Sequence, residues 1–216
     1  MGRQEGVDAL LQRLQGASDV DLLQGADDRE RFSRDFFDYS PVLSQQLRDF
    51  RADLVVRPHG LDGVERVVRA CVQLGIPLTL RGAGSGNYGQ CVPLEGGVVM
   101  LTSALRTIRE IDSDTGVVTV EPGCSMRDLD QALRRHGREL RLLPSTWRSA
   151  SIGGFIAGGS GGIGSIRWGF LRDPGHLLGL EVMSMQESPQ RMWLDQRAAE
   201  PLNHAYGTNG IITALQ

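Results

Sequence analysis

The chain contains no lysine: all 23 basic residues among its 216 are arginine. This excludes a phosphate-loop nucleotide hydrolase, whose glycine loop presents a lysine to the phosphates, and any lysine Schiff-base chemistry. The arginine bias itself reads as compositional drift, and the exclusions hold whatever its origin. Cysteine is also scarce. Cys71, Cys91 and Cys124 stand far apart, without the paired spacing of a zinc site, an iron–sulfur cluster or a disulfide framework, and are expected to be buried or half-buried free thiols. No metal site is expected. No apolar run reaches the roughly 18 residues that a membrane-spanning helix needs, and Met1 to Gln15 has no signal-peptide core, so a cytoplasmic location is expected. With a net charge of -3 there is neither a basic field for nucleic acid nor a polybasic membrane patch. The four histidines, His59, His136, His176 and His204, show no metal-ligand spacing.

What the chain has in quantity is glycine, 28 residues, concentrated in two stretches. Around them the organisation is legible. Residues 1–52 read as an irregular helical leader, with short helical apolar patterns at Val7 to Leu14 and Val20 to Leu23 and a charged, aromatic stretch from Asp27 to Tyr39. Leu54 to Pro58 reads as a strand. Asp62 to Leu74 places Val64, Val67, Val68, Cys71 and Leu74 on one helical face, with Gly75 as its stop, and Ile76 to Arg81 reads as a second strand. Gly97 to Leu101 is a further buried strand. Ile108 to Asp112 and Val117 to Glu121 flank a Ser-Asp-Thr-Gly turn as a hairpin, and Ser125 caps a helix over Met126 to His136. Leu177 to Met185 and Arg191 to Asp195 form another hairpin, and Gly207 to Gln216 ends in a strand. The expected fold class is α+β in two lobes, about 53–121 and 122–216: a small parallel βαβ lobe and a mixed or antiparallel lobe flanked by helices.

The first glycine stretch, RGAGSGNYGQ, follows directly on a strand. Its bare backbone N–H groups and permitted positive φ make it a cradle for a diphosphate, although a tight solvent loop would have the same composition. It is not a Rossmann fingerprint. That motif requires a helix at once, whereas Asn87, Tyr88, Gly89 and Pro93 give none. The second stretch, LPSTWRSASIGGFIAGGSGGIG, offers hydroxyls at Ser145, Thr146, Ser149 and Ser151 and close backbone approach at Gly153 and Gly154. Two such walls suit a long ligand lying between two lobes, although a glycine-rich run can also be a tightly packed turn.

The ordered set LVVRP, GIPLTLRGAGSGNYG, VTVEPG, ASIGG, GLEVM and GTNGIIT resembles the p-cresol methylhydroxylase/vanillyl-alcohol oxidase flavoprotein superfamily, in particular its FAD-linked oxidases of the glycolate oxidase subunit and D-lactate dehydrogenase type. The resemblance covers about Asp53 to Gln216 and leaves the leader unexplained. It implies two α+β subdomains with FAD extended between them. Arg81, Gly82, Ala83, Gly84, Ser85, Gly86, Asn87, Gly89 and Gln90 would hold the pyrophosphate through the backbone. Pro144, Ser145, Thr146, Ser149, Ser151, Ile152, Gly153 and Gly154 would line the flavin and ribityl side, and Ala157, Gly158, Gly162 and Gly164 the adenosine side or inner wall. Ile211 and Ile212 would pack near the cofactor, or serve as ordinary strand core. Glu121, Pro122 and Gly123 match the family's structural turn.

Departures from the family carry their own implications. Members that bond FAD through the first loop have a histidine where this chain has Ser85, Gly86 and Asn87; those with a cysteinyl bond have a thiol where it has Leu142, Leu143 and Pro144. Noncovalent FAD is therefore expected. The stretch between Trp193 and Tyr206 departs from the family pattern and is expected to be remodelled. The substrate cap and much of the family's histidine/acid machinery lie after GIIT, so a substrate domain is expected to be absent here and no catalytic residue is assigned. The expected function is the FAD-binding domain of an oxidoreductase for a 2-hydroxy acid or related alcohol. Alternatives are a noncatalytic FAD-binding or electron-transfer module working with a partner subunit, a scaffold that no longer binds flavin, and a flavoprotein reductase of the cell-wall type.

Overall fold

The computed structural model describes residues 2–216, and these fall into two compact units. The first comprises the residues up to Ala104 together with Ser184–Gln190. Its elements are α1 (Arg3–Leu14), β1 (Val20–Leu23), α2 (Ala26–Phe32), a 3-10 turn at Phe37–Tyr39, α3 (Pro41–Leu47), β2 (Leu54–Pro58), α4 (Leu61–Leu74), β3 (Leu78–Arg81) and β4 (Val98–Leu101). The sheet runs β1-β2-β4-β3. β2 and β3 both pair parallel with β4, as expected of a β-α-β unit.

α4 forms where the apolar stripe requires it. Val64, Val67, Val68 and Cys71 are fully buried, and Gly75, at φ 62, closes the helix in the left-handed conformation. Four such side chains contribute about 1.5–3 kcal/mol each for the larger hydrophobes, before chain entropy is counted. On another part of the sheet, Val55, Val99 and Leu101 cluster with Ala52 and are covered by Phe32 of α2.

The leader is thus part of this unit and not an appendage. Val20–Leu23, expected as helical, is instead a strand: it pairs antiparallel with β2 from Val20↔Pro58 to Leu23↔Val55. Four residues are too few to separate one helical turn from a short strand by periodicity, and the free edge of β2 decides the matter. Gly63 admits the close approach this needs, since a Cβ there would lie 2.5 Å from the carbonyl oxygen of Asp19. α1 supplies buried Val7, Leu10 and Leu14, and Arg13 donates to Gln73 of α4 at 2.7 Å.

The second unit comprises Leu105–Met183 and Arg191–Gln216. It contains β5 (Ile108–Asp112), β6 (Val117–Val120), α5 (Met126–Arg135), α6 (Ile152–Gly158), α7 (Ser165–Trp168), β7 (Gly179–Met183), β8 (Arg191–Asp195), α8 (Gln196–Ala199) and β9 (Ile211–Leu215). Its sheet, β5-β6-β9-β7-β8, is antiparallel throughout. The division at Ala104 therefore places the β5–β6 hairpin here, where the sequence alone had grouped it with the first lobe. Residues 196–202, in the stretch where the family pattern breaks, form α8 and a 3-10 turn. The core gathers Met126, Leu129 and Leu133 of α5, Phe155 and Ile156 of α6, and Leu180, Ile212 and Leu215 of the sheet. α5 starts as the sequence indicates: Ser125 Oγ accepts the N–H of Asp128 at 3.0 Å. Two separate sheets with helices establish the α+β class.

Candidate functional site

In the first unit, β3 delivers the chain at Arg81 directly into the glycine loop, and no helix follows before β4. Among the described residues, none of the backbone N–H groups of residues 82–87 donates to a protein acceptor. Six consecutive donors without protein partners are uncommon in a folded chain and suit an anion. Gly82, Gly84, Ser85 and Gly86 are half-buried, so these donors do not lie on an open surface, while Ala83 and Asn87 are exposed. Gly84 holds φ 66, which an L side chain adopts only at a cost.

Arg81 is itself buried, at 8% exposure. Its guanidinium lies under the loop, so that a Cβ on Gly84 would fall 2.1 Å from Nη2, and Nη1 donates to the carbonyl of Arg34 at 2.5 Å and to Cys91 Sγ at 3.0 Å. It also lies over the Phe32 ring, 5.8 Å from the centroid. A permanently charged group beneath a run of free amides favours a phosphate by both charge and hydrogen bonding. The loop's far end is different. The N–H of Gly89 is taken by Asp35 Oδ2 at 2.9 Å, and the N–H of Tyr88 by the Gln90 side chain at 3.0 Å.

In the second unit Pro144 opens a tight turn: Trp147 N–H donates to its carbonyl, and Ser149 and Ala150 donate to that of Thr146. The hydroxyl of Ser149 also bonds the Thr146 carbonyl, at 3.2 Å. Ser145 and Thr146 are exposed and, among the described residues, their N–H groups have no protein acceptor. Ser151 is buried and caps α6, accepting the Gly154 N–H at 3.3 Å, and Ile152 belongs to the core. Gly153 packs so tightly on Pro122 that a Cβ would lie 2.5 Å from the proline's own.

Gly162 and Gly164 have positive φ and face the carbonyls of Leu143 and Arg141, each within 2.2 Å of a built Cβ. These three glycines have internal reasons to be glycine. Gly158 and Ala157 finish α6, and the Ala157 carbonyl accepts from Tyr206 at 2.9 Å. Ile211 and Ile212 are buried strand residues of β9. The first-loop candidates thus lie together in one unit, and the remaining candidates lie in the other.

Sequence reasoning did not single out Asp35, Phe32 or Cys91, all of which meet the first loop. The RDFFDYS stretch was visibly charged and aromatic, but nothing in it showed which partner it would meet. The histidines are occupied elsewhere: His59 with Asp21 at 2.9 Å, His136 with Ser113 at 3.0 Å, His176 with the Trp168 carbonyl at 2.8 Å and His204 with Tyr206 at 3.0 Å.

A buried arginine beneath acceptor-free amides at the end of a parallel strand is a setting suited to an anionic group. Residues 52–191, more than half of the chain, match the family described as the FAD binding domain, and the chain belongs to that family. It is 34% identical over 131 residues to the glycolate oxidase subunit GlcD of Bacillus subtilis, covering 61% of this chain and 27% of that one. It is 32% identical over 149 residues to a D-lactate dehydrogenase of Archaeoglobus fulgidus, covering 68% and 32%. A mitochondrial D-2-hydroxyglutarate dehydrogenase of Danio rerio is 29% identical over 132 residues, covering 61% and 24%. The matches thus span only about a quarter to a third of these relatives' length. A solved alkyldihydroxyacetonephosphate synthase shares the fold, with a TM-score of 0.78 at 20% identity, over 100% of this chain and 40% of that one. No helix among the described residues is long and apolar enough to cross a membrane.

Proposed function

We propose that this chain holds FAD noncovalently and forms the flavin-bearing part of an oxidoreductase that acts on a 2-hydroxy acid or a related alcohol. The observation that carries the reading is the run of amides at residues 82–87 without protein acceptors above the Arg81 guanidinium, a fit for a diphosphate. Arg81 is committed by burial and by its bonds to Arg34 and Cys91, so its charge stays at the loop. In the second unit, the exposed turn at Ser145 and Thr146 carries further N–H groups without protein acceptors among the described residues. Bound FAD would supply the redox chemistry, accepting a hydride equivalent from an alcohol carbon. The substrate class rests on the relatives named for glycolate, D-lactate and D-2-hydroxyglutarate, all 2-hydroxy acids.

A second reading, an FAD-holding module that works with a partner subunit, is favoured by one relative being named as a subunit. The test is titration of the purified chain with FAD, followed by flavin fluorescence and visible absorption. Saturable binding that discriminates FAD from riboflavin, which lacks the diphosphate, supports the reading. Equal affinity for the two, or no binding, overturns it.

A further inference from the structure

The leader meets the glycine loop through one buried acid. Asp35 is only 9% exposed; its Oδ1 accepts the N–H of Phe37 and its Oδ2 that of Gly89, both at 2.9 Å. The neighbouring Phe36 N–H donates to the Gly86 carbonyl at 2.9 Å, and Arg34 offers its carbonyl to Arg81. Three successive leader residues therefore bond three parts of the loop.

The segment that does this is itself held in place. Arg34 pairs with Glu30 at 2.9 Å and Asp38 at 2.8 Å, and the buried Ser33 hydroxyl accepts the Ala52 N–H at 2.8 Å, tying the segment to the start of β2.

Resting on the FAD reading above, we propose that Asp35 is a positioning residue for the diphosphate loop. Its carboxylate is a built-in anion that takes the Gly89 amide at the loop's exit and so leaves residues 82–87 turned to an external anion. The physical logic is a division of donors. A glycine-rich loop has many conformations of similar energy, and each residue that is ordered costs backbone entropy. Fixing Gly89 on a buried acceptor settles part of that entropy before the ligand arrives, so binding does not have to supply it. Burial raises the Asp35 pKa, while the amides of Phe37, Gly89 and Gln90 and the Arg81 charge oppose that rise, so the ionised carboxylate depends on these donors as they depend on it. The charged group that acts on it is Arg81, and the Cys91 thiol lies within its electrostatic reach. The residues matched to the family begin at 52, so Asp35 lies outside them while the loop it holds lies inside.

The test uses the full chain with Asp35→Asn, which is isosteric, and Asp35→Ala. Two quantities are measured: amide hydrogen exchange without FAD, and the FAD dissociation constant. The expected result is exchange at Phe37 and Gly89, whose amides Asp35 accepts, faster by tenfold or more, with β4 and α4 exchanging as in the parent, and FAD binding weakened at least tenfold. A folded variant that binds FAD like the parent overturns the proposal. So does exchange that accelerates throughout the unit in both variants, because that shows a general structural role. A parent chain that takes up no FAD overturns the cofactor reading itself, an outcome visible before any variant is made.

Discussion

A Cβ built on Gly84 would lie 2.1 Å from Nη2 of Arg81, so the loop's closest approach to its own buried cation occurs at a residue without a side chain. Valine at position 84 would have to displace the guanidinium and also hold φ 66, a combined cost of about 1–3 kcal/mol. FAD affinity of Gly84→Val is expected to fall by at least tenfold while the circular dichroism spectrum is retained. Affinity equal to the parent's would place the diphosphate elsewhere.

FAD is expected to leave the protein intact on acid precipitation. Neither Arg81–Gln90 nor Leu142–Gly154 contains a histidine or a cysteine that could form a covalent link to the flavin. The supernatant should contain all the flavin, identified chromatographically as FAD. Yellow colour in the washed pellet would contradict this.

The FAD-loaded chain is expected to be reduced by dithionite but not by glycolate, D-lactate or D-2-hydroxyglutarate under anaerobic conditions. A base must reach the hydroxyl proton within hydrogen-bond distance, and none of the four histidines belongs to Arg81–Gln90 or Pro144–Gly154. Bleaching of the flavin absorbance by one of these acids would show that the residues described here already contain the catalytic base.

The thiols are expected to be inert in the native protein. Burial pushes Cys71 up to about 12 and Cys124 up to about 11, and it raises Cys91 as well, against the opposing charge of Arg81. At pH 8 all three stay protonated, and the neutral thiol is the unreactive form. An aromatic disulfide reagent should release almost no chromophore until denaturant is added, and then three equivalents. One rapidly reacting native thiol would show that a cysteine is more accessible than its burial indicates.

Much of the first unit was legible because its signals are local. The α4 stripe, the Gly75 stop and the flanking strands each follow from residues within a few positions of one another, as does the Ser125 cap in the second unit. The β1 strand was not legible, since VDLL becomes a strand only by meeting the edge of β2. The first loop's acceptor-free amides agree with its composition. In the second loop, composition mixed two causes: Gly153, Gly162 and Gly164 answer to Pro122, Leu143 and Arg141, and such close approaches cannot be read before the chain is folded. Asp35 was invisible for the same reason, standing 54 positions from the amide it holds.

The second sheet has an order of assembly built into it. β9 lies between β6 and β7, although it follows both in sequence. On a ribosome, β5 with β6 and β7 with β8 can pair as they emerge, but the two hairpins stay unjoined until Ile211–Leu215 has been made. During that interval β6 and β7 each present an open edge, and the fully buried positions of the central strand have nothing to fill them. A chain halted at Asp195 would therefore leave both hairpins open-edged, and they can join only once residues 211–215 are free to pair.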